Sequence, residues 1–297
     1  MSGKVVCIGE SINIMSRSIG RAMRERDPDP IRRMAREEVE LGADYLDLNI
    51  GPAKKDGPEL ASWIVEVVEG EVDVPISLDT TNPEAMVAGI SASRRKRILM
   101  NSISAQPERM ERLIPVAAES GVDVVALLWG PEGMPRDANE RAAMAVDLMM
   151  RLNEAGVPNE RIWFDPIATP ITLGADQLSY GFEFLSMLPE IAPGAKSTVG
   201  LSNVSNGVSR HLRPYLDRVY LMMLMKYGIY SAILNVYDKE LVEIAKGEHP
   251  DWVKLVHDMM DGDEPDPSSL SEKELEIYKT VRVLMGKTIF SESWLEL

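Results

Sequence analysis

The sequence predicts a (β/α)8 barrel, in which eight parallel strands form a closed ring surrounded by helices. Eight short apolar segments, most of them rich in β-branched residues, alternate along the 297 residues with stretches of helical periodicity. This alternation is typical of βαβ units, and eight such units favour a closed barrel over an open sheet. Polar residues recur at the carboxyl ends of the segments, where barrels of this kind bind their ligands.

The connecting stretches carry the signals with which helices begin and end. Asp29-Pro30 and Asn82-Pro83-Glu84 each combine an N-cap residue with a proline at the first helical position, and Gly42 follows the first of these helices. Gly121 and Gly156 lie where helices are expected to end before the fifth and sixth strands. The strands are predicted over residues 4–10, 43–51, 75–80, 98–104, 123–129, 162–168, 197–204 and 231–238.

The C-terminal part of the chain differs in composition from the rest. Residues 247–271 are rich in Asp, Glu, Pro and Gly, which predicts an exposed linker. Ser271 and Glu274 form a capping-box pattern that starts a final helix. We therefore divide the chain into a barrel domain, 1–245, and an acidic linker with a helical extension, 246–297. This extension is expected to pack on the barrel or at a dimer interface.

Composition narrows the possible partners. The chain has 32 Lys and Arg against 47 Asp and Glu, a net charge of −15, which argues against nucleic acid or an anionic membrane as the main partner. No secretion signal and no apolar run of membrane-spanning length is seen, so a cytoplasmic protein is expected. The single cysteine, Cys7, is expected in the core, and the three histidines are widely spaced. We therefore expect no bound metal.

The residue types at the strand ends indicate what the mouth of the barrel binds. Nearly every strand ends in Asp, Asn or Glu, and almost none ends in Lys, Arg or His. Such a site does not suit phosphates, but it suits a neutral heterocycle rich in N–H groups, such as a 2-amino-4-oxo-pterin. A metal site is the competing interpretation of clustered carboxylates. It is less favoured because no two of these carboxylates are close in sequence and no histidine joins them.

The sequence offers no group for covalent catalysis at the strand ends. No strand ends in a lysine of the Schiff-base kind, and no Ser or Cys has a histidine placed to activate it. Lys196 precedes the seventh strand and is expected at the opposite end of the barrel. Direct transfer between two bound partners, aided by positioning and hydrogen bonds, is therefore the favoured chemistry.

Six segments, taken in order, resemble the sequences of one known family. They read Ile-Gly-Glu-Ser-Ile-Asn at 8–13, Leu-Asp-Leu-Asn-Ile-Gly-Pro-Ala at 46–53, Leu-Asp-Thr-Thr-Asn at 78–82, Met-Asn-Ser at 100–102, Asp-Pro at 165–166 and Gly-Leu-Ser-Asn-Val-Ser at 200–205. Together they resemble the pterin-binding methyltransferases. Within these, the chain is most similar to the methyltetrahydrofolate:corrinoid (iron–sulfur) protein methyltransferases and the tetrahydrofolate methyltransferase components of O-demethylase-type systems.

The resemblance implies a dihydropteroate-synthase-like barrel, usually a homodimer, that binds the folate pterin at its mouth. It implies that Asp79, Asn101 and Asp165 hydrogen-bond the pterin, and that Asn203 acts near N5, where the methyl group is gained or lost. The residues that it assigns to the pocket are Asp79, Asn101, Asp165, Gly200, Ser202, Asn203 and Ile233. Further candidates for the pocket are Glu10, Asn13, Asp47, Asn49 and Arg213.

Three functions stay open at this point. The resemblance favours transfer of a methyl group between tetrahydrofolate or 5-methyltetrahydrofolate and a corrinoid (cobalamin). The corrinoid is expected on a partner protein because the chain lacks an Asp-x-His-x-x-Gly motif. The second candidate is a dihydropteroate synthase-like condensation, which needs cationic residues at the ends of strands seven and eight. The third is a non-catalytic folate-binding subunit.

Overall fold

The computed structural model describes residues 4–296 and contains the predicted (β/α)8 barrel. All neighbouring strands pair in parallel, in the order β7-β6-β5-β4-β3-β2-β1-β8. The strands are β1 (Val6–Gly9), β2 (Tyr45–Gly51), β3 (Ile76–Thr80), β4 (Ile98–Ser104), β5 (Asp123–Leu127), β6 (Ile162–Asp165), β7 (Lys196–Ser197) and β8 (Ser231–Leu234). Beyond β7, Gly200 bridges Ile233 of β8, and the Ile233 N–H donates to the Val199 carbonyl at 2.8 Å. These contacts close the ring.

The helices lie between and after the strands. They are α1 (Arg17–Glu25), α2 (Pro28–Glu40), α3 (Gly57–Glu69), α4 (Pro83–Ala92), α5 (Pro107–Ser120), α6 (Ala138–Glu154), α7 (Asp176–Ile191), α8 (Arg213–Met225), α9 (Lys239–Ala245), α10 (Pro250–Asp261) and α11 (Glu272–Leu284). Asn82 caps α4 and Gly121 ends α5 in the left-handed conformation, as predicted. Helix α2 begins two residues earlier than predicted, because the Asp27 side chain accepts the Asp29 N–H and caps it.

The interior of the barrel changes from apolar to polar towards the carboxyl ends of the strands. Ile8, Leu99, Val125 and Trp163 form a buried cluster, against which Tyr45 and Ile233 pack. At the amino end, Lys196 lies 4.9 Å from the centre of the Trp163 ring, which confirms its predicted place away from the mouth. The apolar cluster is therefore a floor, and the polar strand ends above it form the mouth.

The seventh strand is much shorter than predicted. Residues 197–204 were expected as one strand, but β7 ends at Ser197 and Leu201–Asn203 forms a 3-10 turn. The turn closes because the Asn203 N–H bonds back to the Gly200 carbonyl at 3.3 Å. Strands β6 and β8 also end early. Pro166 follows β6 and has no N–H to donate, and Asp238, predicted at the end of the eighth strand, instead caps α9.

The C-terminal part contains more helix than predicted. The prediction of a linker over residues 247–271 is wrong for α10, because Val253, Val256 and Met259 are buried there at a helical spacing of three. Helix α11 begins at the predicted capping box of Ser271 and Glu274. Both helices contact α8, whose Met-rich stretch, 221–225, is buried as core. The proposed division of the chain at residue 245 stays a prediction.

Candidate active site at the carboxyl end of the barrel

Strands β2, β3 and β4 place three predicted residues side by side. Asn49 pairs in register with Asp79, and Asp79 pairs with Asn101. The Asn49 side-chain amide donates a hydrogen bond to the Asp79 carboxylate. Since residues that pair in register on neighbouring strands face the same side of the sheet, all three side chains lie together on one face, the inner face of the barrel. The site predicted from the strand ends therefore has a continuous polar wall here.

A second polar layer lies just below this wall and fixes the orientation of Asn101. The buried Asp47 carboxylate accepts hydrogen bonds from the Ser77 hydroxyl at 2.5 Å and from the Asn101 side-chain nitrogen at 3.3 Å. Because the Asn101 nitrogen is held by this acceptor, its carbonyl oxygen stays available as an acceptor for a ligand. Asp47 thus supports the pocket from beneath, and Asn101 belongs to its wall.

The carboxyl groups of this wall hold protons more tightly than free carboxyl groups. Burial raises the pKa of Asp79 to about 6, while the positive charge of Arg109 opposes that rise. Burial also raises the pKa of Asp47 well above its usual range, and the nearby charge of Asp79 adds to the rise. Two carboxyl groups in one enclosed space disfavour each other's ionisation. The mouth is therefore less negative near neutral pH than its formal charge suggests.

Asp165 enters the mouth from β6 and is held by a tight turn. Its carboxylate accepts the backbone N–H of Ile167 at 2.8 Å. Ile167 has a φ of 67°, a left-handed conformation that β-branched residues rarely adopt. Burial raises the pKa of Asp165 to about 7, and the Ile167 N–H partly offsets this. Strained backbone next to an acidic side chain of the mouth is typical of functional sites.

The Gly200–Asn203 segment forms the side of the mouth next to β8. Ser202 donates its hydroxyl to the Glu10 carboxylate at 2.5 Å, and Asn203 is exposed. A Cβ at Gly200 would lie 3.1 Å from the Asn203 side-chain nitrogen, so the glycine leaves space for that amide. Because Gly200 bridges Ile233, this segment lies beside the apolar floor of the mouth.

Two further candidates use their side chains within their own loops. The Asn13 side-chain oxygen accepts the Met15 N–H at 2.9 Å, and its backbone bridges Asn49. Arg213 is exposed, and its Nε donates to the Val208 carbonyl at 2.8 Å. The structure accounts for both residues as loop supports, and their contact with a ligand stays a prediction.

Arg109 is a residue of the site that the strand ends did not reveal. It lies in the first turn of α5, and its guanidinium donates to the carbonyls of Thr81 at 2.5 Å and Ser102 at 2.6 Å. It therefore ties the loop after β3 to β4 and places a positive charge near Asp79. Because Arg109 lies on a helix beyond the end of β4, the pattern of polar strand ends gave no signal for it.

Two further properties of residues 4–296 bear on the predicted partners. No group of three or more His, Cys, Asp or Glu side chains among them is arranged to hold a metal ion. No helix in this part of the chain has the length and apolar character needed to cross a membrane.

The barrel and its mouth define a class of protein, the (β/α)8 barrels whose polar strand ends lie above an apolar floor. A family model described as pterin binding enzyme matches residues 9–235. The chain belongs to this family of pterin binding enzymes, which confirms at the family level the resemblance seen in its sequence.

Two named relatives are similar to most of this chain. The chain is 25% identical over 241 residues to methylcorrinoid:tetrahydrofolate methyltransferase from Eubacterium limosum, covering 80% of this chain and 88% of that protein. It is 28% identical over 242 residues to methionine synthase from Mycobacterium tuberculosis, covering 78% of this chain but 20% of that protein. Both relatives are named for reactions that transfer methyl groups or make methionine, and the second is a much longer protein.

Solved structures with a similar fold include dihydropteroate synthases. The enzyme from Thermus thermophilus matches with a TM-score of 0.60 and 24% identity, covering 84% of this chain and 95% of that one. The enzyme from Xanthomonas albilineans with 4-aminobenzoic acid matches with a TM-score of 0.60 and 19% identity, covering 84% and 94%. At these identities the likeness shows the fold alone.

Proposed function

We propose that this enzyme transfers a methyl group between N5 of tetrahydrofolate and the cobalt of a corrinoid carried by a separate protein. The observation that carries the proposal is the composition of the strand ends, where carboxyl and amide groups recur and the Leu201–Asn203 turn beside β8 carries an exposed asparagine. The match to a methylcorrinoid:tetrahydrofolate methyltransferase along 88% of that relative supports it. The supply of methyl groups sets the direction of transfer.

The polar wall suits the pterin ring. A 2-amino-4-oxo-pterin carries adjacent N–H donors, and the carboxylates of Asp79 and Asp165 accept such pairs. Asn101 offers a carbonyl oxygen because Asp47 holds its amide nitrogen. Ile233 packs on the ring face, since it lies on the apolar floor of the mouth. Gly200 and Ser202 line the side next to this residue.

Asn203 is the residue that we assign to the chemistry at N5. When N5 gains the methyl group, its lone pair forms the new C–N bond, the Co–C bond breaks with its electron pair left on cobalt, and N5 releases a proton. A side-chain amide can accept a hydrogen bond from N5–H and donate one to an N5 lone pair. Asn203 therefore serves both directions of transfer by hydrogen bonding, without itself being an acid.

A dihydropteroate synthase-like condensation is the second candidate, because the solved structures of similar fold carry that name. Its chemistry handles pyrophosphate, which favours Lys or Arg at the ends of the seventh and eighth strands. Residues 199–206 and 231–238 contain neither Lys nor Arg. The strand ends therefore favour methyl transfer.

The deciding experiment mixes the protein with methylcobalamin and tetrahydrofolate under anaerobic conditions and follows the absorbance of cob(I)alamin. Formation of cob(I)alamin together with 5-methyltetrahydrofolate is expected. A parallel assay with a hydroxymethyl-dihydropterin pyrophosphate and 4-aminobenzoic acid tests the condensation. Formation of dihydropteroate there, with no methyl transfer, would overturn the proposal. Folate binding with neither reaction, including with a corrinoid protein supplied, would indicate a non-catalytic folate-binding subunit.

The proposal also covers the location, the oligomeric state and the metabolic role of the enzyme. We place it in the cytoplasm, as a homodimer, in one-carbon metabolism such as O-demethylation. The corrinoid is expected to arrive on its partner protein, and no metal is expected on this chain. Sedimentation of the purified protein tests the homodimer, and co-purification of a cobalt-containing protein tests the partner.

A further inference from the structure

We propose that Glu10 is a positioning residue, which holds the Leu201–Asn203 turn and thereby keeps the Asn203 amide at the mouth. The kinetic part of this inference rests on the proposed methyl transfer, whereas its structural part does not. Nothing in the resemblance gives Glu10 more than a possible place in the pocket. The hydrogen bond from Ser202 to Glu10 and the surroundings of the Glu10 carboxyl group support this role.

The bond from Ser202 to Glu10 spans two strands that are not neighbours. Glu10 follows β1, and Ser202 lies 192 residues later in the chain that follows β7. Strand β8 pairs with β1, and Gly200 bridges it from the other side. The 2.5 Å hydrogen bond therefore reaches across the end of β8 and joins the two sides of the ring at the mouth.

Glu10 is the partner that ties a side chain of the turn to another strand, whereas the Ser205 hydroxyl donates to the Ser202 carbonyl at 3.3 Å and the Ile171 N–H donates to the Val204 carbonyl at 2.9 Å. Strand β7 ends at Ser197, and the backbone bonds within the turn, from the N–H groups of Asn203 and Val204, are 3.3 and 3.1 Å long. Leu201 is buried on one side of the turn, while Asn203 is exposed on the other. Ser202, between them, is held by Glu10. Loss of this bond is therefore expected to free the segment that carries Asn203.

The carboxyl group of Glu10 depends strongly on this one donor. Burial raises the pKa of Glu10, and the Ser202 hydroxyl is the group that opposes the rise. The charged groups that face Glu10 from the packed elements are themselves acids, namely Glu38 on α2, Asp217 on α8 and Asp47 on β2. A cation, Arg213, acts on Asp217 in this cluster.

Glu38 and Asp217, two of these acids, also have fewer hydrogen-bond donors than their carboxyl oxygens can accept. Glu38 is fully buried, accepts the Ser11 N–H at 2.9 Å and has a second oxygen without a partner among residues 4–296. A Cβ at Gly9 would lie 2.7 Å from the Glu38 carboxylate, so the glycine makes room for it. One oxygen of Asp217 likewise lacks a partner in this part of the chain. An ionised carboxylate has no proton to donate, so neither Glu38 nor Asp217 can replace the Ser202 hydroxyl as a hydrogen-bond donor to Glu10 while it is ionised.

A double-mutant cycle tests the proposal without relying on activity. Hydrogen exchange of peptides covering residues 199–206 is measured in Glu10→Ala, Ser202→Ala, the double variant and Glu10→Gln. Each alanine variant is expected to raise deuterium uptake in these peptides, and the double variant is expected to raise it no further. Glu10→Gln keeps an acceptor oxygen for Ser202 and is expected to restore protection.

Ser209→Ala is the matched control for this cycle. Its hydroxyl donates to the Glu292 carboxylate at 2.8 Å, which is a comparable long-range serine–glutamate pair outside the mouth. Its loss is expected to leave exchange in 199–206 unchanged. Additive effects of Glu10→Ala and Ser202→Ala, or unchanged uptake in both, would overturn the proposal. If Glu10→Ala fails to fold, Ser202→Ala and Glu10→Gln still decide it through the same peptides.

The kinetic readout separates positioning from ligand binding. Each alanine variant is expected to lower kcat by about tenfold, the scale of one hydrogen bond to a charged group, with the KM for folate changed by less than about twofold. The double variant is expected to be no slower than the slower single variant. A raised KM with unchanged kcat would instead make Glu10 a folate-binding residue. If the wild-type protein transfers no methyl group, the proposed function fails, and the exchange cycle still decides the role of Glu10.

Discussion

Replacing Asn203 with alanine removes one amide from the mouth while leaving the fold nearly intact. Asn203 is exposed, and its side chain makes no hydrogen bond within residues 4–296. The free energy of unfolding is therefore expected to change by less than about 0.5 kcal/mol, as for other exposed side chains. Any larger effect of Asn203→Ala on the reaction is then a property of the site.

The expected effect on the reaction is much larger than the effect on stability. Loss of one placed hydrogen-bonding group in a transition state costs about 2–3 kcal/mol. Because about 1.36 kcal/mol corresponds to a factor of ten, the rate should fall about 30- to 160-fold. Folate affinity should fall far less, since the proposed function assigns the pterin edge to Asp79, Asn101 and Asp165 rather than to Asn203.

The assay is a single-turnover transfer from methylcobalamin to tetrahydrofolate, with folate affinity measured by calorimetry and stability by urea unfolding. Asn206→Ala is the matched control, because Asn206 is a second exposed asparagine three residues further along the same loop. The control should react at the wild-type rate. Equal losses of affinity and rate in Asn203→Ala would remove this residue from the chemistry, as would a similar slowing in the control.

Three further predictions follow from the geometry of the mouth. Gly200→Ala places a Cβ 3.1 Å from the Asn203 side-chain nitrogen, so it should slow transfer by about tenfold at nearly constant folate affinity; a wild-type rate would contradict this. Asp47→Ala leaves the Ser77 hydroxyl and the Asn101 amide without their shared acceptor. It should lower the free energy of unfolding by about 1–3 kcal/mol, measured by urea unfolding, and weaken folate binding, measured by calorimetry. The folded protein holds the Asp165 proton up to about pH 7, whereas the unfolded chain releases it near pH 4, so this group lowers the free energy of unfolding as pH rises between these values. Asp165→Asn should therefore flatten the dependence of the free energy of unfolding on pH, measured by urea unfolding at several pH values. An unchanged dependence would refute the raised pKa of Asp165.

The strand count was predictable from the sequence because each strand of a parallel barrel is buried on both faces. Such strands appear as short apolar runs separated by helical patterns. Their lengths were less predictable. Val199 and Leu201 continue an apolar pattern past Ser197, but the regular strand ends there, Val199 and Gly200 still bond to β8, and a 3-10 turn begins at Leu201. Burial alone cannot distinguish a strand from a buried turn, since both need apolar residues.

The site was predictable to the extent that it lies on strand ends. Asn49, Asp79 and Asn101 come together because the strand register leaves little choice in where they face. Arg109 and Glu38 reach the same region from helices, and their approach depends on helix packing rather than on strand order. No local pattern in the sequence carries that information.

The carboxyl groups of the mouth also indicate which kind of ligand suits a site nearly free of strand-end cations. Within the fold Glu10 has the Ser202 hydroxyl, Asp165 has the Ile167 N–H, and Asp79 has the Asn49 amide and the nearby charge of Arg109. A carboxylate has room for about four hydrogen bonds, so these donors leave much of its acceptor capacity unused. Burial without enough donors raises the pKa of each group. A neutral ligand rich in N–H groups supplies the missing donors, whereas a phosphate adds negative charge and no donor. This shortage of donors therefore favours the proposed pterin ligand over a phosphate.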